Sequence, residues 1–293
     1  MDTNIVMISN IKGGVGKTSS VAALGDVLAR KMDKKVLLID ADPQGSLSHQ
    51  FGYDPDEDAI ENTFDAFLSS EYQARRDGKS YELKPSFYFN EAVLKKPRSK
   101  IDGKYKNLQI MCSSSKLQTV YNTFNSDSTD AASIIRRFLF WLKDSKLFDY
   151  VLIDTFPTMS SALWQFLLGS DYLMIPLPPE QEALIGAERL LTIFNTAIDS
   201  KKDFMYKKLQ FLGFFFCNIA QKGVADKTYR QNKGEYWDEE TFFEAIVPKS
   251  TAVLNAQNRC APVTAVYPHS SASLGYIKVA KEMEVRIQKL EAR

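Results

Sequence analysis

The sequence contains almost no histidine: His49 and His269 are the full complement among 293 residues. They stand far apart in the chain, so a histidine-based metal centre or a Ser-His-Asp mechanism lacks its parts. Cysteine is nearly as scarce. Cys112, Cys217 and Cys260 are odd in number and widely spaced, which suits small buried hydrophobes in a reducing compartment better than a disulfide framework or a metal site. No stretch reaches the roughly 18 apolar residues of a spanning helix, the longest compact run being Phe211 to Cys217. Met1-Asp2-Thr3-Asn4 has neither the basic nor the apolar part of a secretion signal, so a cytoplasmic chain is expected. There is no charge excess either. With Lys+Arg at 37 and Asp+Glu at 36 the net charge is +1, and any polyanion would have to be met by a local patch. Internal repeats and low-complexity tracts are also missing.

What is present is an alternation of short apolar runs and amphipathic segments. Asn4-Ile5-Val6-Met7-Ile8 leads into a glycine-rich turn, and Thr18 to Met32 then carries Val21, Leu24, Leu28 and Met32 at helical spacing. Val36-Leu37-Leu38-Ile39 is apolar throughout, as a strand covered on both faces must be. Strands are expected again at Leu108–Met111, Tyr150–Ile153, Tyr172–Ile175 and Leu209–Phe216, and helices at Ala131–Lys143, Glu180–Thr196 and Ser273–Leu290. This pattern predicts an α/β fold, a mainly parallel twisted sheet with helices on both faces. Residues 71–106 interrupt it. They are polar, aperiodic and basic, with ten Lys/Arg against five Asp/Glu, and end in Lys95-Lys96-Pro97-Arg98-Ser99-Lys100. The segment reads as a surface insertion, solvated or in contact with a partner, in an otherwise single domain spanning 1–293. Within it, Phe87-Tyr88-Phe89 reads as a packing anchor.

Three constellations carry chemistry. Lys12-Gly13-Gly14-Val15-Gly16-Lys17-Thr18 lies between the first strand and the first helix, where a phosphate-binding loop belongs. Glycines let successive N–H groups converge on one anion, and the helix N-terminus adds its positive dipole end. Lys17 would reach the β- and γ-phosphates and the Thr18 hydroxyl would ligate Mg²⁺. Gly13, Gly14, Val15, Gly16, Lys17, Thr18 and Ser19 are therefore expected to hold the nucleotide. Against G-x-x-x-x-G-K-[ST], Ile11 replaces the first glycine and an additional lysine, Lys12, precedes the glycine pair. Next, Asp40-Ala41-Asp42-Pro43-Gln44-Gly45 ends the second strand. Asp40 is expected to hold the metal's water shell and Asp42 to orient the attacking water. Finally, Asp149-Tyr150-Val151-Leu152-Ile153-Asp154 has the form of a Walker B strand, with Asp154 directed at the metal.

Together these residues resemble the ParA/MinD family of deviant-Walker P-loop NTPases, and Asp42-Pro43-Gln44-Gly45 is typical of ParA rather than MinD. Weaker similarity covers nearly the whole chain outside the 71–106 insertion. The resemblance implies an ATPase in which the signature lysine, here Lys12, crosses to the nucleotide of a second subunit, so that an ATP-bound homodimer forms around ATP and Mg²⁺. It places Asn218 and Pro248 beside the base. It also implies nonspecific double-stranded DNA as a track, with Lys222 and Lys249 as candidate contacts, and a ParB-like or cargo adaptor protein that stimulates hydrolysis. On that reading the protein is associated with the nucleoid. One departure touches the switch region: Phe156 precedes Pro157 where the family usually has a second proline.

Other members of this fold class define the alternatives. A MinD-like membrane switch needs a C-terminal helix with bulky apolar residues to insert, whereas Lys281 to Arg293 alternates charges. An iron-sulfur carrier needs paired cysteines, which the spacing does not supply. A metabolic ligase on the same fold is disfavoured by the Asp-Pro-Gln-Gly stretch. No membrane partner is expected.

Overall fold

The computed structural model describes residues 2–57, 60–78, 88–93, 104–127, 131–200, 209–220 and 238–292. The first βαβ unit is β1 (Asn4–Ile8), α1 (Lys17–Lys31) and β2 (Val36–Asp40). Two helices follow, α2 (Ser46–Gln50) and α3 (Phe64–Arg76), then β3 (Asn90–Val93) and β4 (Lys104–Met111). The centre of the chain gives α4 (Lys116–Ser126), α5 (Ser133–Ser145), β5 (Tyr150–Asp154), α6 (Ser161–Gly169), β6 (Tyr172–Leu177) and α7 (Gln181–Ser200). The chain then forms β7 (Gln210–Ile219), β8 (Val247–Pro248), two short helices, α8 (Thr251–Gln257) and α9 (Val263–Val266), and the long α10 (Ser271–Glu291).

These strands form one eight-stranded sheet in the order β3-β4-β2-β5-β1-β6-β7-β8. The pairings from β4 through to β8 are parallel, and β3 runs antiparallel at the edge. Successive strand residues point to opposite faces, and the sequence fills both. Ile5, Met7, Leu37, Ile39, Val151 and Ile153 enter one core, while Val6, Ile8, Val36, Leu38 and Leu152 enter the other. The first core is roofed by α3 to α7 and the second by α1 and α10, so apolar runs without polar alternation are what both layers require.

The chain leaves β1 toward β2 on one side and occupies β6 to β8 on the other. The strand order thus reverses beside β1, and a crevice opens there at the C-terminal strand ends. Those ends carry Ile8, Asp40 and Asp154 side by side: Asp154 pairs with Ile8 of β1 and with Asp40 of β2.

The polar 71–106 stretch is partly regular. α3, capped by Thr63 accepting from the Ala66 N–H, runs through Arg76, and β4 begins four residues before the expected strand. Tyr88 packs edge-on to Phe67 at 5.5 Å and Phe89 to Phe148 at 5.5 Å, which accords with a packing role for these two rings. Phe87 and the basic run at 95–100 lie outside the described residues.

α10 spends its apolar face on the fold. Ala272, Tyr276, Val279, Ala280, Met283 and Ile287 are buried against the second core, and among the described residues no helix is long and apolar enough to cross a membrane. Gly275 lets this helix meet β8 directly. A Cβ there would lie 2.6 Å from the Ile246 carbonyl oxygen and 2.9 Å from Val247 Cα. Both are backbone atoms and cannot rotate away. Gly275→Ala should therefore destabilise the protein by about 1–3 kcal/mol, read as a lower urea midpoint at unchanged m-value. An unchanged midpoint would show that β8 yields freely.

Candidate nucleotide site

The loop between β1 and α1 is built for an anion. Gly14 (φ 74°) and Gly16 (φ 86°) take left-handed backbone conformations that a Cβ disfavours. Gly16 caps α1 without any side-chain hydrogen bond, and the first turn has no acidic residue, so the N-terminal N–H groups and positive dipole end remain available. The loop is held from behind. The Cys217 thiol donates to the Val15 carbonyl at 3.2 Å and the Ser20 hydroxyl to the Gly16 carbonyl at 2.7 Å. Burial pushes the Cys217 thiol up to about 12, so it stays a protonated donor through the neutral range.

Two carboxylates, Asp154 and Asp42, interact with one buried lysine, and Asp40 adjoins Asp154. Lys17 is buried, and its Nζ donates to the Lys12 carbonyl at 3.1 Å. Burial lowers its pKa, against the opposing pull of Asp154 and Asp42. Asp154 is completely buried, and among the described residues neither of its oxygens finds a hydrogen-bond donor of ordinary geometry. Desolvation raises its pKa well above the carboxylate range; neighbouring Asp40 raises it further, while Thr18 and Lys17 counteract. A buried unpartnered carboxylate is costly and marks a place prepared for a cation.

Asp40 is bound differently. Its Oδ2 accepts from the Ser48 N–H at 2.8 Å and the Ser48 hydroxyl at 2.6 Å, and its Oδ1 accepts from the Asp42 N–H at 3.3 Å. Burial still lifts it to about 7, partly offset by these bonds. Asp40 therefore also fastens α2 to the end of β2. Asp42 is half-buried on the cavity wall, with Oδ1 accepting from the Gln44 N–H at 2.9 Å.

The residues present suit Mg²⁺. Among the described residues no group of three His, Cys, Asp or Glu could hold a metal alone. Mg²⁺ usually takes one or two carboxylates and keeps its remaining positions for water and phosphate oxygens, which Thr18, Asp154 and Asp40 allow.

A cavity of about 630 Å³ runs from this end to a second wall formed by β7, β8, α8 and α10. It unites Gly13 to Ser19 and Asp42 with Asn218, Pro248 and Lys249. Asn218 is exposed at a register shift between β7 and β8 and has φ 57°, a conformation asparagine tolerates better than most residues. The sequence reading missed His49 and Gln50 on α2, and Gln257, Cys260 and Tyr276 from the C-terminal elements, all of which line the same space. Gln257 donates to the Ser19 hydroxyl at 2.9 Å. Phe156 is buried and packs against Tyr121 at 5.0 Å, and the Tyr121 hydroxyl donates to the Ala41 carbonyl at 3.0 Å. The unusual switch residue thus braces the strand end that carries Asp42.

Among the described candidates Asp40, Asp154 and Lys12 do not line the cavity; Lys222 lies outside the described residues. The Lys12 side chain is 41% exposed and its ammonium lies 3.9 Å from Glu182.

A family model described as an AAA domain matches residues 3–207, more than two thirds of the chain. The chain belongs to that family, the ParA/MinD-like P-loop ATPases. Among relatives of this ParA/MinD-like protein, the chromosome-partitioning ATPase Soj of Treponema pallidum is 24% identical over 279 residues, covering 94% of this chain and 95% of Soj. The fold matches MinD of Pyrococcus horikoshii, solved with Mg-ADP, at a TM-score of 0.70 and 19% identity, covering 96% of each chain. It also matches cobyrinic acid a,c-diamide synthase of Mycobacterium smegmatis, solved with an ATP analogue and magnesium, at a TM-score of 0.69 and 19% identity, covering 95% of this chain and 93% of the synthase. MinD and the synthase share this fold, so the fold alone does not decide what this chain does.

Proposed function

We propose that this ParA-like protein is a Mg²⁺-dependent ATPase that dimerises on ATP and positions or partitions DNA or another intracellular cargo. The cycle runs through nonspecific binding of double-stranded DNA by the ATP-bound homodimer and release on hydrolysis, stimulated by a ParB-like or cargo adaptor protein. The observation that carries this reading is the separation of the two loop lysines. Lys17 is buried beside Asp154 and Asp42, whereas Lys12 does not line the cavity and stands 41% exposed near Glu182. A lysine that is to reach a neighbour's nucleotide must be accessible, and Lys12 meets that condition while Lys17 does not.

In this assignment Gly13 to Ser19 cradle the phosphates, Asn218 and Pro248 meet the base, and Thr18, Asp40 and Asp154 hold the metal. Mg²⁺ held there with ATP would supply positive charge against the phosphate oxygens. Asp42 orients the attacking water, and Lys12 supplies charge in trans. Localisation follows the track: cytoplasmic, on the nucleoid.

The DNA arm has its own test. Lys249 is exposed at the rim of the cavity, beside the surface a second subunit would cover, so a dimer doubles its contribution. If the dimer neutralises about four phosphates, log affinity should fall with log salt at a slope near −3.6, about −0.9 per contact. Lys249→Ala should flatten that slope by nearly two units, with nucleotide affinity measured alongside because the residue borders the site. Fluorescence anisotropy on two unrelated duplexes with a non-hydrolysable ATP analogue reads both numbers. No ATP-dependent binding at low salt would eliminate DNA as the track.

A further inference from the structure

Asn10 lies two residues before Lys12, is fully buried, and uses both ends of its side chain. Its Nδ2 donates to the Pro176 carbonyl at 3.1 Å, near the end of β6, and to the Ala183 carbonyl at 3.3 Å, in the first turn of α7. Its Oδ1 accepts from the Lys12 N–H at 3.0 Å. On the facing side, a Cβ added to Gly186 would lie 2.6 Å from Asn10 Oδ1, 3.1 Å from Lys12 N and 3.3 Å from Lys12 Cβ. Helix α7 therefore lies against the phosphate loop so closely that only glycine fits at that point. The Lys12 side chain leaves over the same turn, toward Glu182.

We propose that Asn10, seated against Gly186, is the positioning residue for Lys12. It clamps the lysine's backbone to α7 so that the ammonium is presented outward to a second subunit. The inference rests on the reading of Lys12 as a group that acts in trans. A carboxamide is suited to this place because it donates twice to carbonyls and accepts once from an N–H. Aspartate keeps the acceptor but turns a charged oxygen toward two carbonyl oxygens, and serine is too short to bridge three backbone segments.

The clamp meets the cradle at one point, the Lys12 carbonyl that accepts from Lys17, and the rest of the loop has supports of its own. Val15 and Gly16 are held by Cys217 and Ser20 on the other side of the loop, and neither contact involves Asn10. Loss of the clamp should therefore release Lys12 while the cradle still binds nucleotide. A merely structural residue would lower both properties together.

The experiment compares full-length wild type, Asn10→Ala, Asn10→Asp, Gly186→Ala and Lys12→Ala. Binding of a fluorescent ATP analogue with Mg²⁺ reports the cradle, and light scattering across a protein titration reports the ATP-dependent dimer. For Asn10→Ala and Asn10→Asp the nucleotide Kd should stay within about threefold, while dimer dissociation rises at least about tenfold, the scale of one or two buried hydrogen bonds lost. Should the Asn10 variants not fold, Gly186→Ala carries the same expectation, because its Cβ pushes the loop off α7. Parallel loss of nucleotide and dimer affinity would overturn the positioning role. So would normal dimerisation of the three clamp variants while Lys12→Ala loses it. Normal dimerisation of Lys12→Ala would instead remove the reading on which the inference rests, a distinguishable result.

Discussion

Lys12→Ala should lose ATP-dependent dimerisation and, with it, nearly all hydrolysis, while still binding nucleotide. The cavity keeps its phosphate-facing groups without this side chain: Lys17, Thr18 and the loop amides all line it, and Lys12 does not. Its backbone carbonyl, which accepts from Lys17, survives the substitution. What disappears is a part-exposed positive charge near Glu182. Charge supplied in trans to a transferring phosphoryl group is worth about 10³ to 10⁵ in turnover, so a loss of at least about a thousandfold is expected. Lys17→Ala should fail earlier, at productive nucleotide binding, because it removes the buried ammonium that interacts with Asp154 and Asp42. Sizing by light scattering with ATP and Mg²⁺, beside a phosphate-release assay, separates the two variants. Normal turnover by Lys12→Ala would show that the lysine has no catalytic part.

The phosphate loop was legible because its chemistry is local. Glycines, one lysine and one threonine must adjoin in sequence to adjoin around an anion, and β1, β2 and β5 announce themselves as apolar runs buried on both faces. The opposite wall of the cavity was less legible. Gln257, Cys260 and Tyr276 reach it from the far end of the chain, and β8, which brings them there, is only two residues long. His49 and Gln50 escaped because a five-residue helix has no period to read. α3 extends into the stretch taken as an insertion because its apolar residues, Phe64, Phe67 and Leu68, precede position 71. Only its polar C-terminal turns fell inside the window. Asp40 and Asp42 already carry different expected roles in sequence, metal and water; the hold of Ser48 on Asp40, eight residues on, is the distinction that only the structure adds.

That distinction decides the second large effect. Asp42→Ala should bind ATP and form the dimer, yet hydrolyse at about 10⁻² to 10⁻⁴ of the wild-type rate, the range that a positioned acid–base group contributes. Asp154 is wholly buried, with no hydrogen bond of ordinary geometry to either oxygen among the described residues, an environment that suits a bound cation. Asp40 holds α2 through Ser48. Of the three carboxylates, Asp42 alone lines the cavity. Its loop is fixed on both sides: the Ser113 hydroxyl donates to the Asp42 carbonyl at 2.7 Å, and the Gly45 N–H to the same carbonyl at 2.9 Å. The Gln44 N–H holds one carboxylate oxygen, and the other has no hydrogen-bond partner among the described residues. Positioning is most of what phosphoryl transfer asks of a protein, and a carboxylate held by one oxygen with the other unengaged is suited to aligning a water. Asp42→Asn keeps the Gln44 contact but weakens the acceptor, so it should fall between wild type and alanine. Light scattering should show an ATP-loaded Asp42→Ala dimer that outlasts the wild-type dimer. Wild-type turnover by Asp42→Ala would assign the water to another wall of the cavity, where the buried Gln50 side chain, its Oε1 unpartnered, is the next residue to replace.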